Sequence, residues 1–416
     1  MSAVAQDGHP DRHPDEHQAL SRDRMTRTTY AAACRVEGPI VRRGVVAPEP
    51  MALKNTRPSK DIVAFKFGGS SLLGADRMLH SAQLVGEAAA TRNISHDVEH
   101  DAAGNFARKV VIIVSAMKGI TDRLLAVART LEAGCRTDAR RDAENILHRH
   151  WQVLRDLQLE APVHERLERE LRLLGEDLLQ DASPEKQPCP ATGPALQDRL
   201  ASYGERFSAK LFCGALEKLG VRAVAVDSSD FVLTCDTFRD ARPHLEETRR
   251  RGREVLLPLF ADGLVPVVTG FIGATSDGRV TTLGRNSADF SGALVAHVVD
   301  AGELVIWTDV DGIYTDNPRE SAEAQLLHEL SYDEAHALAA AGAKVLHAKV
   351  LPLAAESEMV VWVRNTFNPQ FRGTRIGPVP DQMAEVRGRT SVPSGVLPAN
   401  EQPGYACELF DSRGAE

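Results

Sequence analysis

Residues 110–114 read Val-Val-Ile-Ile-Val, and this run constrains the fold more than any other stretch of the chain. A strand with no polar alternation has no face to offer to water, so both its faces must be covered. It feeds a small-residue loop from Ser115 to Thr121 and then an amphipathic pattern with Leu124, Val127 and Leu131 toward a core. The segment from Asp61, IVAFKFGGSS followed by a helical pattern, repeats that design. Successive strand–loop–helix units of this kind build parallel sheets.

Bulk properties narrow the rest. Of 416 residues, 43% are apolar and 26% charged, enough for a sizeable core. The net charge of −9 argues against a nucleic-acid partner or an anionic membrane surface. No apolar run approaches the ~20 residues that a membrane span needs. Six cysteines without a Cys-x-x-Cys pair suggest neither a disulfide framework nor a zinc ribbon, and a reducing cytoplasm fits. Residues 1–58 differ in kind: rich in Pro, Asp, Arg and His, without periodicity, they read as a disordered extension or an over-extended start. His9, His13 and His17 would share a helix face, but Pro10 and Pro14 break that helix.

Candidate chemistry sits at strand ends. Gly68 and Gly69 follow the strand carrying Lys66, either as a tight β–α turn or as backbone that approaches a phosphate beside a mobile cation. In the helical stretch from Leu196 to Gly220, Glu205 falls off the apolar stripe and reads as a solvated glutamate. Residues 267–319 run strand, Asp277-Gly278 hairpin, helix start, strand, acidic loop, an order suited to an anion site. Asn286 or Ser287 is placed to cap the helix that follows, and Arg285 offers a planar fork for a carboxylate or phosphate. Asp289 is either a dipole-complementing surface acid or a group that orients lysines and metal. After the next strand come Thr308, Asp309, Asp311, Tyr314 and Arg319. A calcium loop is excluded there by Ile313 and Tyr314, and a nucleotide loop suits these residues better. Lys344 opens one more helical pattern, and VVWVRNTF reads as a last strand.

Eight collinear stretches, KFGGSS, VSAMKGITDRLL, SYGERFSAKLF, GFIGATSDGRVTTLGR, WTDVDGIYTDNPR, LSYDEA, GAKVLH and VRNTF, together resemble the catalytic domain of the aspartate kinases, within the amino-acid kinase superfamily. The resemblance spans residues 62–376 and implies a three-layer α/β/α sandwich over residues 59–377, with a mostly parallel sheet of about eight strands. It implies ATP-dependent phosphorylation of the side-chain carboxylate of L-aspartate, with Mg²⁺ accompanying ATP. Lys66, Gly68 and Gly69 match the positions around the transferring phosphoryl group, and Asp289 the catalytic aspartate. Ser70, Ser115, Thr121, Glu205, Phe271, Thr282 and Arg285 match the amino-acid site, with Glu205 on the ammonium and Arg285 on the α-carboxylate. Thr308, Asp309, Tyr314, Arg319 and Lys344 match the ATP site. No side chain is assigned as a direct metal ligand, and a homo-oligomer, a dimer, is expected.

Departures stand beside the matches. Where the family carries Gly-Ser-Asp-Tyr this chain has Ser287, Ala288, Asp289 and Phe290, which moves a hydroxyl by one position. Ala348-Lys349 replaces Pro-Arg, and Asp227-Ser228-Ser229 replaces Asp-Ala-Arg. These differences keep open a kinase for another small carboxylate, phosphonate or amino acid, and a catalytically silent partner subunit. Residues 378–416 read as a short tail in place of the two ACT modules common in the family, so a separate regulatory subunit or an enzyme without its own feedback site is expected.

Overall fold

The computed structural model describes residues 59–90, 108–183, 193–285, 287–316, 321, 323–340, 346–347 and 349–378. The N-terminal extension with its histidines, the tail beyond residue 378, Asn286, Arg319, Lys344 and Ala348 lie outside them.

The strands of the main sheet are β1 (Ser59–Phe67), β2 (Lys109–Val114), β3 (Ala223–Val226), β4 (Val265–Thr269), β7 (Ala301–Thr308), β10 (Glu329–Leu330), β11 (Val360–Asn365) and β12 (Thr374–Ile376). Two small ribbons stand apart from it, β5 (Ile272–Ala274) with β6 (Val280–Thr282) and β8 (Ile313–Tyr314) with β9 (Leu326–Leu327). The eight-stranded sheet runs β10-β12-β11-β7-β1-β2-β4-β3, and only the β11–β12 pairing is antiparallel.

Alternation along the central strands produces the layers. Val63, Phe65 and Phe67 of β1, with Val110, Ile112 and Val114 of β2, join one buried cluster. That cluster is completed by α1 (Ala75–Ala90), α2 (Ile120–Glu132), α3 (Arg136–Asp156), α4 (Ala161–Ala182), α5 (Pro194–Ala201) and α6 (Tyr203–Lys218). Ile62, Ala64, Val111 and Ile113 point the other way, into a cluster with α7 (Leu245–Ala261), α8 (Ala288–Val298), α9 (Tyr332–Ala340) and α10 (Val350–Glu356). The uninterrupted apolar runs are thus the signature of strands buried on both sides. The three-layer sandwich is the fold expected from the sequence.

Several local readings change. The helix from Leu196 is broken at Ser202, whose hydroxyl donates to the Arg199 carbonyl at 2.7 Å and so competes for an acceptor within the last turn of α5. The helix α7 runs from Leu245 to Ala261 with Pro258 inside its last turn. β11 is not the last strand, because β12 turns back along it. Among the described residues no helix is long and apolar enough to cross a membrane.

Candidate active site

Lys66 is placed by strand arithmetic. It continues the series Ile62, Ala64 on the α8 side of β1, and is the charged member of that series, 8% exposed. A Cβ on Gly292 of α8 would come within 3.2 Å of the Lys66 Cβ, so the glycine makes room for the lysine stem. One turn earlier on the same helix, Asp289 meets the Lys66 ammonium at 2.6 Å. Asp289 is thus ion-paired with Lys66, its side chain 21% exposed. Gly68 continues from β1 with its N–H on the Trp307 carbonyl at 3.3 Å. Gly69 is glycine for a packing reason, since a Cβ would stand 2.6 Å from the Ala116 carbonyl oxygen. This close approach joins the loop after β1 to the loop after β2, and the Lys118 N–H donates to the Gly69 carbonyl at 3.0 Å.

Between those loops and the start of α8 lies a cleft of about 400 Å³. Of the amino-acid-site candidates, Ser70, Ser115, Thr121, Glu205, Phe271 and Arg285 line it, together with Gly69, Ser287 and Ala288. Thr282 does not: it is 2% exposed, and both its N–H and its hydroxyl donate to Asp198, at 2.9 and 2.7 Å.

Glu205 corrects the reading of a solvated glutamate. It sits in the first turn of α6, 3% exposed, with one carboxylate oxygen that has no hydrogen-bond partner. Burial pushes its pKa up to about 8, against the pull of the backbone N–H groups of Ala116 and Glu205 itself. A buried carboxylate with a spare oxygen, facing a cleft, is complementary to an ammonium group. Arg285 differs in being 73% exposed in its side chain, with only a 3.7 Å contact to Asp122 of α2.

Phe271 is held at φ 67°, a conformation costly for an aromatic residue. Its N–H donates to the Ser291 hydroxyl at 2.7 Å and its carbonyl accepts from the Leu283 N–H at 2.9 Å. The Ser291 hydroxyl in turn donates to the Ser287 carbonyl at 3.1 Å, tying the β4–β5 corner to the start of α8. Ser287 does occupy the N-cap position, but its hydroxyl makes no capping bond; it is fully buried without a partner.

The loop after β7 forms a second region. The Thr308 carbonyl accepts from the Thr366 N–H at 2.8 Å, and Asp309 is exposed. Asp311 accepts from the side-chain amides of Asn365 at 2.8 Å and Asn368 at 3.1 Å, which makes it a loop brace. Tyr314, on β8, is half-buried. Thr308 and Asp309 stand at the carboxyl end of β7 and Tyr314 follows on β8; none of the three lines the cleft. Among the described residues, no group of three or more His, Cys, Asp or Glu side chains is placed to hold a metal ion.

The sequence pattern of the Amino acid kinase family matches residues 61–365. The chain belongs to that family. It is 35% identical over 316 residues to the lysine-sensitive aspartokinase 3 of Escherichia coli K12, covering 76% of this chain and 64% of that relative. The chloroplastic aspartokinase 3 of Arabidopsis thaliana is 32% identical over 339 residues, 79% of this chain and 55% of that protein. The fold superposes with a TM-score of 0.62 on the crystal structure of E. coli aspartokinase III in complex with aspartate and ADP, at 34% identity, covering 77% of this chain and 65% of that one. This chain thus spans between about half and two thirds of the length of these relatives.

Residue-by-residue reading missed two features of the site. Asp198 carried no motif signal of its own. The strain at Phe271 has no sequence signature, since an aromatic residue after glycine reads as an ordinary strand start.

Proposed function

We propose that this chain transfers the γ-phosphoryl group of ATP to the side-chain carboxylate of L-aspartate. The observation that carries the proposal is the joint presence, in one cleft, of a buried carboxylate with an unpartnered oxygen, Glu205, and an exposed guanidinium, Arg285. That pair suits the ammonium and α-carboxylate of an amino acid, while the Lys66–Asp289 pair stands beside the same glycine loop. The relatives named aspartokinase, and the aspartate and ADP bound in one of them, support the same reading.

The chemistry needs no general base. A carboxylate is already ionised at neutral pH, so its oxygen attacks the γ-phosphorus directly. A P–O bond forms, the bond to the β–γ bridging oxygen breaks, and ADP leaves with that electron pair. The difficulty is bringing one anion up to another, and the protein answers with fixed positive charge. Lys66 supplies it, with Asp289 holding the ammonium in place. Magnesium would neutralise phosphate charge when bound, with the phosphate oxygens among its ligands.

A second acceptor class is favoured by one observation. Ala288 and Ser287 both line the cleft, with the hydroxyl on a different residue from the family pattern. An ATP-dependent hydroxamate assay over L-aspartate, L-glutamate and their analogues, with Lys66→Ala as control, separates the readings. Hydroxamate with L-aspartate that vanishes in the variant is expected. Turnover confined to another acceptor would replace the substrate, and turnover of none would remove the catalytic reading.

A further inference from the structure

Asp198 is 2% exposed, and among the described residues no cationic side chain stands within ion-pair distance of it, Arg239 acting only from further away. Its carboxylate instead collects three donors from two other segments: the Arg239 N–H at 2.8 Å, the Thr282 N–H at 2.9 Å and the Thr282 hydroxyl at 2.7 Å. Its backbone carbonyl accepts from the Ser202 N–H at 3.1 Å, at the break between α5 and α6. One residue thus anchors the helix break just before Glu205 and the end of β6 just before Arg285. The 234–242 loop is tied in as well, because the Ala241 N–H donates to the Thr282 carbonyl at 2.9 Å. At Gly284, φ is +97° and a Cβ would come within 2.7 Å of an Asp240 carboxylate oxygen. The backbone between the clasp and Arg285 therefore has little room for an alternative path.

We infer that Asp198 is a positioning residue that sets the spacing between Glu205 and Arg285, and that Thr282 serves the amino-acid site only through Asp198. The inference rests on the proposed amino-acid kinase activity. It accounts for the one amino-acid-site candidate that fails to reach the cleft: the Thr282 hydroxyl faces away from it, into the clasp. Asparagine at 198 keeps the shape but turns one of the two oxygens into a donor, which opposes a Thr282 or Arg239 donor where it had matched.

The test is a double-mutant cycle on the full chain with Asp198→Asn and Thr282→Val, reading kcat, KM for the amino acid and KM for ATP. Because a displacement of about 1 Å in a positioning group costs one to two orders of magnitude, Asp198→Asn is expected to raise the amino-acid KM about ten-fold, with kcat and the ATP KM within about two-fold. Thr282→Val is expected to raise the same KM by a smaller factor and to add nothing in the Asp198→Asn background. Equal changes in both KM values, or none, would reduce Asp198 to a structural residue and overturn the inference. A Thr282→Val effect that persists in full in the double variant would mean that Thr282 touches the substrate itself, which also overturns it. If Asp198→Asn does not fold, Asp198→Glu takes its place in the same cycle, and the same outcomes decide. A parent chain that turns over a different acceptor moves the same cycle to that acceptor, whereas a parent that turns over none removes the proposed activity and this inference together.

Discussion

Lys66 and Asp289 meet at 2.6 Å with side chains 9% and 21% exposed, whereas Arg285 and Asp122, which line the cleft, stand 3.7 Å apart and are 73% and 77% exposed. The first pair is fixed by a strand, a helix and a glycine that leaves space for the lysine stem. The second bridges the loop after β6 and the first turn of α2, and water screens it. Where charge develops on the transferring group, a cation held in a low-dielectric surround acts without reorganising. Where a substrate carboxylate must enter and leave, an exposed arginine with a weak partner can exchange that partner for the ligand. The comparison separates a preorganised element from an adaptable one.

The sharpest way to break it is to remove the fixed charge. Lys66→Ala is expected to lower kcat by about 10²- to 10³-fold with a smaller effect on the amino-acid KM, as for loss of a preorganised transition-state donor. Asp289→Asn leaves the ammonium present but unaimed, and should cost roughly ten-fold less than removing it. Steady-state kinetics on both variants checks this. If Lys66→Ala keeps kcat within about two-fold, the buried pair is scaffolding, whatever its geometry.

Glu205 offers an intermediate case, buried like Lys66 yet, under the proposed function, reserved for the substrate. Burial raises its pKa to about 8, so at pH 7 the empty site holds mostly the protonated acid. Binding an ammonium calls for the carboxylate, and the proton must leave. The apparent KM for the amino acid should therefore fall as pH rises, by about ten-fold per unit below pH 8, and then flatten. The stability consequence has the opposite sign. Because the folded pKa lies above the ordinary carboxylate value of 4.5, the unfolded chain loses its proton first. The group therefore costs the fold progressively more between pH 4.5 and about 8. Glu205→Gln should flatten both profiles; a KM that still tracks pH in that variant assigns the titration elsewhere.

The same contrast explains what could be read from the sequence. The sheet was legible because residues 110–114 have no polar face, and the alternation of Ile62, Ala64 and Lys66 against Val63, Phe65 and Phe67 sends the lysine to the α8 side. The cleft was legible mainly through the resemblance, since Glu205 alone looks like an ordinary helix-surface acid. Its burial depends on α6 starting afresh after Ser202 and packing tightly against the loop after β2, where a Cβ on Gly204 would come within 2.6 Å of the Ala116 Cβ. No periodicity within α6 encodes that. Asp198, Ser291 and the backbone strain at Phe271 were silent for a related reason: they come from hydrogen bonds to segments distant in sequence. His150 is another such residue. It is buried in α3, stacked on Phe207 with ring centroids 4.5 Å apart, and burial lowers its pKa to about 4.

The smallest expected effect tests the adaptable side of the comparison. Under the proposed function, Asp122 competes with the incoming carboxylate for Arg285 and adds negative charge where an anionic substrate must arrive. An exposed pair of this kind is worth ~1 kcal/mol or less, so Asp122→Asn should lower the amino-acid KM by about two- to five-fold at low ionic strength. The gain should shrink as added salt shortens the Debye length toward ~3 Å, and kcat should stay where it was. Kinetics at two salt concentrations reads both. A KM that rises instead would mean that Asp122 aims Arg285 into the cleft, and the open pair would then belong, like Lys66 and Asp289, to the part of the site that is set before the substrate arrives.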